Sequence, residues 1–253
     1  MSTLTLNPGR LAALGRSELT LLVRNRAALS VALLMPLMMV FVLRSSLDED
    51  TVGSVAEATL TGGIGMVLVL VVYMNLVSAY VARREELVLK RLRTGEAGDL
   101  EILVGTALPA AVIALAQITV LALAGAAALG APLPANPLLL AAAVLAALPL
   151  LAGMAAATSV VTRNVETAGI TTLPLFLITA LGSGLFLPLD SLPDAVASVC
   201  ELLPLSGVMT LVRAGWSGGV EGGEMLTAAV TTLAWIMVTV FAVQRWFRWE
   251  PRR

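Results

Sequence analysis

The stretch GAPLPANP, Gly130–Pro137, decides how this chain folds. It lies inside Ile102–Thr162, a run without a charged residue. A helix that crosses a bilayer needs about 20 apolar residues, so the run is too long for one crossing and suits two. Three prolines and a glycine in so short a stretch cannot continue a helix. The run therefore reads as two membrane spans, 102–129 and 138–161, joined by a turn.

The same logic, an uncharged run between charged boundaries, extends in both directions. It gives 27–43 between Arg26 and Arg44, 58–82 between Glu57 and Arg83, 167–189 between Glu166 and Asp190, and 225–244 between Glu224 and Arg245. Composition agrees: 58% of residues are hydrophobic and 13% charged, with a mean hydropathy of +0.92. Soluble domains carry about 25% charged residues. The expected fold is an all-α integral membrane protein with six transmembrane helices, a single transmembrane domain over 1–253. Pro36, Pro109, Pro149 and Pro174 fall within or near spans, where neighbouring helices satisfy the carbonyl that proline frees.

Basic residues orient the spans. With both termini on the cytoplasmic side, fourteen of the sixteen lysines and arginines face inward, and only Arg44 and Arg213 face outward. Before the first span, residues 10–26 place Leu11, Leu14, Leu19, Leu21 and Leu22 on one helical face and Arg10, Arg16 and Arg24 largely opposite, the pattern of an interfacial helix. Around the join of spans five and six, the segment 187–219 holds apolar pieces too short to cross, punctuated by Pro188, Pro193 and Pro204, with the hairpin itself at 190–215. This reads as an outer re-entrant helical hairpin that packs against other helices, because irregular backbone at membrane depth must be covered by protein or water.

The largest cytoplasmic loop is RREELVLKRLRTGEAGDLE, residues 83–101, with ten of the chain's 33 charged residues. Arg83–Arg93 can continue the second span as a charged helix beyond the lipid, supported by acid–base pairs at i,i+4 spacing. Thr94–Gly95 ends it. Glu96–Glu101 starts the next helix with acids at its positive end.

Active chemistry is excluded by what is missing. The chain has no histidine, one cysteine (Cys200) and one lysine (Lys90). Lys90 follows Leu89 and precedes Arg91, so no phosphate-cradling GxxxxGK[ST] loop exists. HExxH and CxxC are absent, and none of the six spans carries the charge that marks an ion relay. We expect no catalytic residue, no metal site, no cofactor in this chain and no nucleic-acid partner.

Several segments in order resemble the membrane (permease) subunit of type-2 ABC exporters. SELTLLVRNRAAL followed by Pro36 resembles that family's interfacial helix. LVLKRLRTGEAGDLEILVG resembles its basic helix, turn and acidic helix start. SGLFLPLDSLPDAVASVCELLPLSGVMTLVRAG resembles its Gly-aromatic-Pro stretch with the later prolines. The chain differs where relatives often carry proline, here Gly95, and a basic residue, here Thr106. The resemblance implies a separate ABC ATP-binding subunit that holds ATP and Mg, and a dimer with itself or a related permease in the cell membrane of a bacterium. It implies that Thr94, Gly95, Glu96, Ala97, Gly98, Asp99 and Leu100 receive the ATPase's motion. It also implies that Pro188, Pro193, Glu201, Pro204 and Arg213 belong to the outer hairpin. Candidates to line the substrate path are the polar residues within spans: Tyr73, Asn75, Ser78, Tyr80, Gln117, Thr171, Thr172 and Thr179. A weakly polar path suits a lipophilic drug, natural product or lipid. A polysaccharide or teichoic-acid permease, or a passive pore or scaffold without an ATPase partner, remains open at this point.

Overall fold

Uncharged runs become helices almost from end to end. The computed structural model describes residues 52–94, 98–184 and 193–250, with Gly9, Arg16, Thr20, Leu34, Leu37, Met38, Phe41 and Val42. Apart from these isolated positions, the expected interfacial helix 10–26 and first span 27–43 lie outside the described residues. The described helices are α1 (Val52–Val67), α2 (Asn75–Glu85), α3 (Val88–Thr94), α4 (Asp99–Leu129), α5 (Pro137–Val161), α6 (Val165–Gly182), α7 (Asp194–Glu201), α8 (Ser206–Ser217) and α9 (Gly222–Trp246). No strand occurs among the described residues. Five stretches are long and apolar enough to cross a membrane: Ala56–Glu85, α4, α5, α6 and α9.

Local chemistry sets the boundaries. Gly130 adopts φ 63°, a left-handed conformation that closes α4. Asn136 then caps α5, its Oδ1 accepting from Leu139 N at 3.0 Å, with Pro137 in the first turn. Asn164 Oδ1 caps α6 in the same way, from Thr167 N at 3.0 Å. Glu101 reaches back to the Gly98 N–H at 2.9 Å and anchors the start of α4.

α1 and α2 form one continuous span through a π-helical segment, Leu68–Met74, where the Asn75 N–H reaches back five residues to Leu70 O. This span and α5 form the core. Leu60, Ile64, Leu68, Val72, Leu76 and Val77 of this span belong to one buried apolar cluster with Ala147, Leu150, Leu151 and Ala155 of α5. α4 packs on α1, α6 on α2, and α9 on the opposite side of α5.

Two features depart from the sequence reading. The charged extension of the second span is not one helix. Leu87, at φ 58°, breaks it between α2 and α3, and the turn folds back so that Leu89 is buried. Within the expected fifth span, whose residues 185–189 lie outside the described residues, α6 stops at Gly182. A turn follows, with Gly184 at φ 73°. Its apolar sequence gives no hint of the stop, since Leu185, Phe186 and Leu187 continue the hydrophobic run.

With 18 residues against 25 in α5, α6 is about 10 Å shorter at 1.5 Å per residue. α7 and α8 occupy that end of the bundle, bent by 87° relative to each other. α8 has 12 residues, about 18 Å, and its buried face includes Gly207, Val208, Val212, Gly215 and Trp216. It lies between α5 and α9 so closely that a Cβ on Gly215 would sit 2.7 Å from Leu140 N, and one on Gly207 2.5 Å from Ala228 O.

Candidate functional site

The bundle has two chemically distinct ends. At one, α2 finishes with Arg83 and Arg84, α3 follows, and α4 begins. Arg84 is 1% exposed. Its guanidinium donates to Ser159 O at 2.8 Å, Thr162 O at 2.6 Å and Arg163 O at 3.4 Å. These are the free carbonyls where α5 ends and the turn to α6 begins. A cation at a helix C-terminus meets both the unsatisfied carbonyls and the negative end of the dipole. The sequence reading placed Arg84 in a charged helix beyond the lipid; the structure shows its side chain buried within the protein, where it bridges three segments.

Its neighbours extend the tie. Arg83 Nη1 donates to Thr106 Oγ1 at 3.1 Å, and Tyr80 Oη donates to Leu103 O at 3.2 Å, joining α2 to α4. The end of the second span is thus bonded to α4, to α5 and to the 162–164 turn. Of the residues expected to receive ATPase motion, Thr94 ends α3, while Gly98, Asp99 and Leu100 form the start of α4. Gly95, Glu96 and Ala97 lie outside the described residues.

The polar residues within spans divide by burial. Tyr73 is buried, its hydroxyl 3.2 Å from Thr158 Oγ1 on α5. Tyr80, Gln117, Thr172 and Thr179 are also buried within the protomer. Thr172 bonds to Gly169 O at 2.8 Å, in its own helix. Asn75 is exposed, whereas Ser78 and Thr171 are half-buried.

At the other end, Pro193 O accepts from Val196 N and Ala197 N, at 2.8 and 3.0 Å, and starts α7. Glu201 is exposed and Pro204 is buried in the bend. Pro188 lies outside the described residues. Arg213 Nη1 donates to Ser183 O at 3.3 Å, where α6 stops, so a second arginine binds a helix C-terminus. Ser206 Oγ donates to Gly182 O at 3.1 Å and to Cys200 O at 2.5 Å. Trp235 Nε1 donates to Leu202 O at 2.8 Å and holds the bend against α9. The C-terminal end of α8 is fixed by Ala135 N to Trp216 O and Asn136 N to Gly215 O, both 2.9 Å.

Sequence reasoning missed Arg84 as a tie because charge at a span end ordinarily reads as solvated. A partial signal existed in the run Thr158, Ser159 and Thr162, an unusually polar end for an apolar helix. Among the described residues no cluster of histidine, cysteine, aspartate or glutamate could hold a metal ion. The arrangement ties the ends of helices to one another. The sequence profile described as "ABC-2 type transporter" matches residues 10–216. No curated protein matches the chain.

Proposed function

The chain belongs to the ABC-2 type transporter family, and from that premise we propose that it is an exporter's permease, driven by ATP hydrolysis on a separate subunit. Membership makes it the membrane part of an ABC transporter, a transport subunit of a kind that is normally not itself an enzyme. Such permeases normally work with an ABC ATP-binding subunit, which would hold ATP and Mg.

The observation that carries the finer reading is the Arg84 tie. The charged segment 83–101 is covalently continuous with the second span and α4, and through Arg84 it is also bonded to the end of α5. Force applied at Thr94–Leu100 therefore has a short path into three spans. This supports the Arg84 end as cytoplasmic, in line with the clustering of basic residues there. It supports the hairpin, with Pro193, Glu201, Pro204 and Arg213, as the outer closure of a path between two permease copies.

A path between copies is lined by groups that one protomer leaves accessible. Asn75, Ser78 and Thr171 meet that condition, whereas Tyr73, Tyr80, Gln117, Thr172 and Thr179 are buried within the protomer. So sparse a polar lining suits a lipophilic drug, natural product or lipid.

The test is reconstitution of the chain with an ATP-binding subunit in lipid vesicles. The expected result is a complex with two copies of each subunit, ATP hydrolysis stimulated by lipophilic compounds, and their ATP-dependent movement across the bilayer. Leak without ATP and without complex formation would instead mean a passive pore. Stimulation by lipid-linked glycans alone would mean a polysaccharide or teichoic-acid permease.

A further inference from the structure

The last described residues do not simply leave the membrane. α9 ends at Trp246, and Phe247 takes extended geometry at φ −60°, ψ 133°. In an extended chain successive side chains point to opposite sides, and here Phe247 and Trp249 are half-buried while Arg248 and Glu250 are exposed. The Phe247 ring meets Tyr80 edge-on at a centroid distance of 6.1 Å, and Trp249 meets Phe247 edge-on at 4.9 Å. Both fall in the range favoured by aromatic pairs. Beyond them, Glu250 Oε1 lies 2.9 Å from Lys90 Nζ. Lys90 is the chain's single lysine and sits on α3, the helix immediately before the charged turn.

Four consecutive residues thus join the end of α9 to α2 through Tyr80 and to α3 through Lys90. Tyr80 also holds α4 through Leu103 O. Apart from these contacts, α3 packs among the described residues chiefly on α2 and α4, its neighbours along the chain.

We infer that Phe247–Glu250 is a strap that positions α3 for coupling and ties the ATPase-facing turn to the last span. The inference rests on the reading of Thr94–Leu100 as the ATPase contact. Glu250, Trp249 and Phe247 act as positioning residues, through α3. The ion pair is 52% and 67% exposed on its two sides, so salt screens it. The aromatic contacts are partly open as well. The strap is therefore built to dock and release rather than to lock.

The experiment uses the full chain with its ATP-binding subunit in vesicles and reads substrate moved per ATP hydrolysed. Lys90→Glu and Glu250→Lys are each expected to lower that ratio about fivefold while the complex still assembles. The double swap should return it to within about twofold of the wild type, which a merely structural role for either residue would not produce. Phe247→Ala with Trp249→Ala should lower the ratio in the same direction, and Trp249→Phe should preserve it. As a geometric check in a Cys200→Ala background, Lys90→Cys with Glu250→Cys should cross-link with a short bifunctional thiol reagent. Wild-type coupling in the paired aromatic variant, or no recovery in the charge swap, would overturn the strap alone. A wild-type chain that fails to stimulate its ATPase partner would overturn the coupling reading and the strap with it.

Discussion

Arg84 shows how one side chain can be read wrongly from sequence and still be decisive. A buried guanidinium is tolerated only where it is hydrogen-bonded, and here it answers carbonyls that would otherwise end a helix unsatisfied. Arg84→Ala removes the donors and leaves the carbonyls. Hydrogen bonds to charged groups are worth about 1.5–3 kcal/mol, and loss of a buried charged partner costs more than a surface pair. We expect Arg84→Ala to destabilise the protein by about 2–4 kcal/mol. Arg84→Lys should fall between, because a point charge cannot reproduce the planar fork. Thermal unfolding in detergent measures both. Equal melting of Arg84→Ala and wild type would remove Arg84 from any mechanical role. Hydropathy cannot reveal such a residue, because it scores an arginine the same whether water or a helix end receives it.

Among the elements, helix α8 depends on two glycines for its close approach to α5 and α9. A methyl group on Gly215 would lie within 2.7 Å of backbone, which no rotamer change can relieve. Gly215→Ala is expected to cost about 1–3 kcal/mol through overpacking, and Gly215→Val more. A stability assay in detergent checks this, and an unchanged Gly215→Val would mean that α8 shifts freely. Much of this level was legible in sequence. The prolines and glycine of GAPLPANP mark a helix break whatever surrounds them, and lengths of uncharged chain give the spans. The stop of α6 at Gly182 was not legible. It is imposed by tertiary contacts, Arg213 on Ser183 O and Ser206 on Gly182 O, from residues far along the chain. Leu87 escaped for a related reason, since its positive φ follows from the turn that buries Leu89.

For the whole molecule, orientation and coupling are the quantities to test. In a Cys200→Ala background, a cysteine replacing Glu49 should be labelled from outside the cell, and one replacing Ala97 only after permeabilisation. The reverse pattern would invert the bundle and put the Arg84 end outside. For coupling, Glu96→Lys with Asp99→Lys should lower ATPase stimulation, whereas either alone can be silent because surface pairs are worth about 0–1 kcal/mol. Gly95→Trp should be more damaging, since the turn expected at Thr94–Gly95 favours a residue without Cβ. Normal transport by Gly95→Trp with Asp99→Lys would move the contact to another inner segment. The candidate site was legible here as a charge cluster. The Arg84 connections were not, because they join residues more than seventy positions apart.

The π-helical segment Leu68–Met74 has a consequence for chain length. Each of its hydrogen-bonded turns encloses one residue more than an α-turn, so the second span carries a surplus residue between its two halves. Deleting Val71 should let the segment close as ordinary α-helix with α1 and α2 still presenting their buried faces. A deletion elsewhere in the span would rotate one half against the other by about 100°, turning Leu76 and Tyr80, or Leu60 and Ile64, away from their partners. The second span should therefore tolerate shortening at one place along its length and resist it everywhere else, a pattern that a scan of single-residue deletions for folded protein would expose.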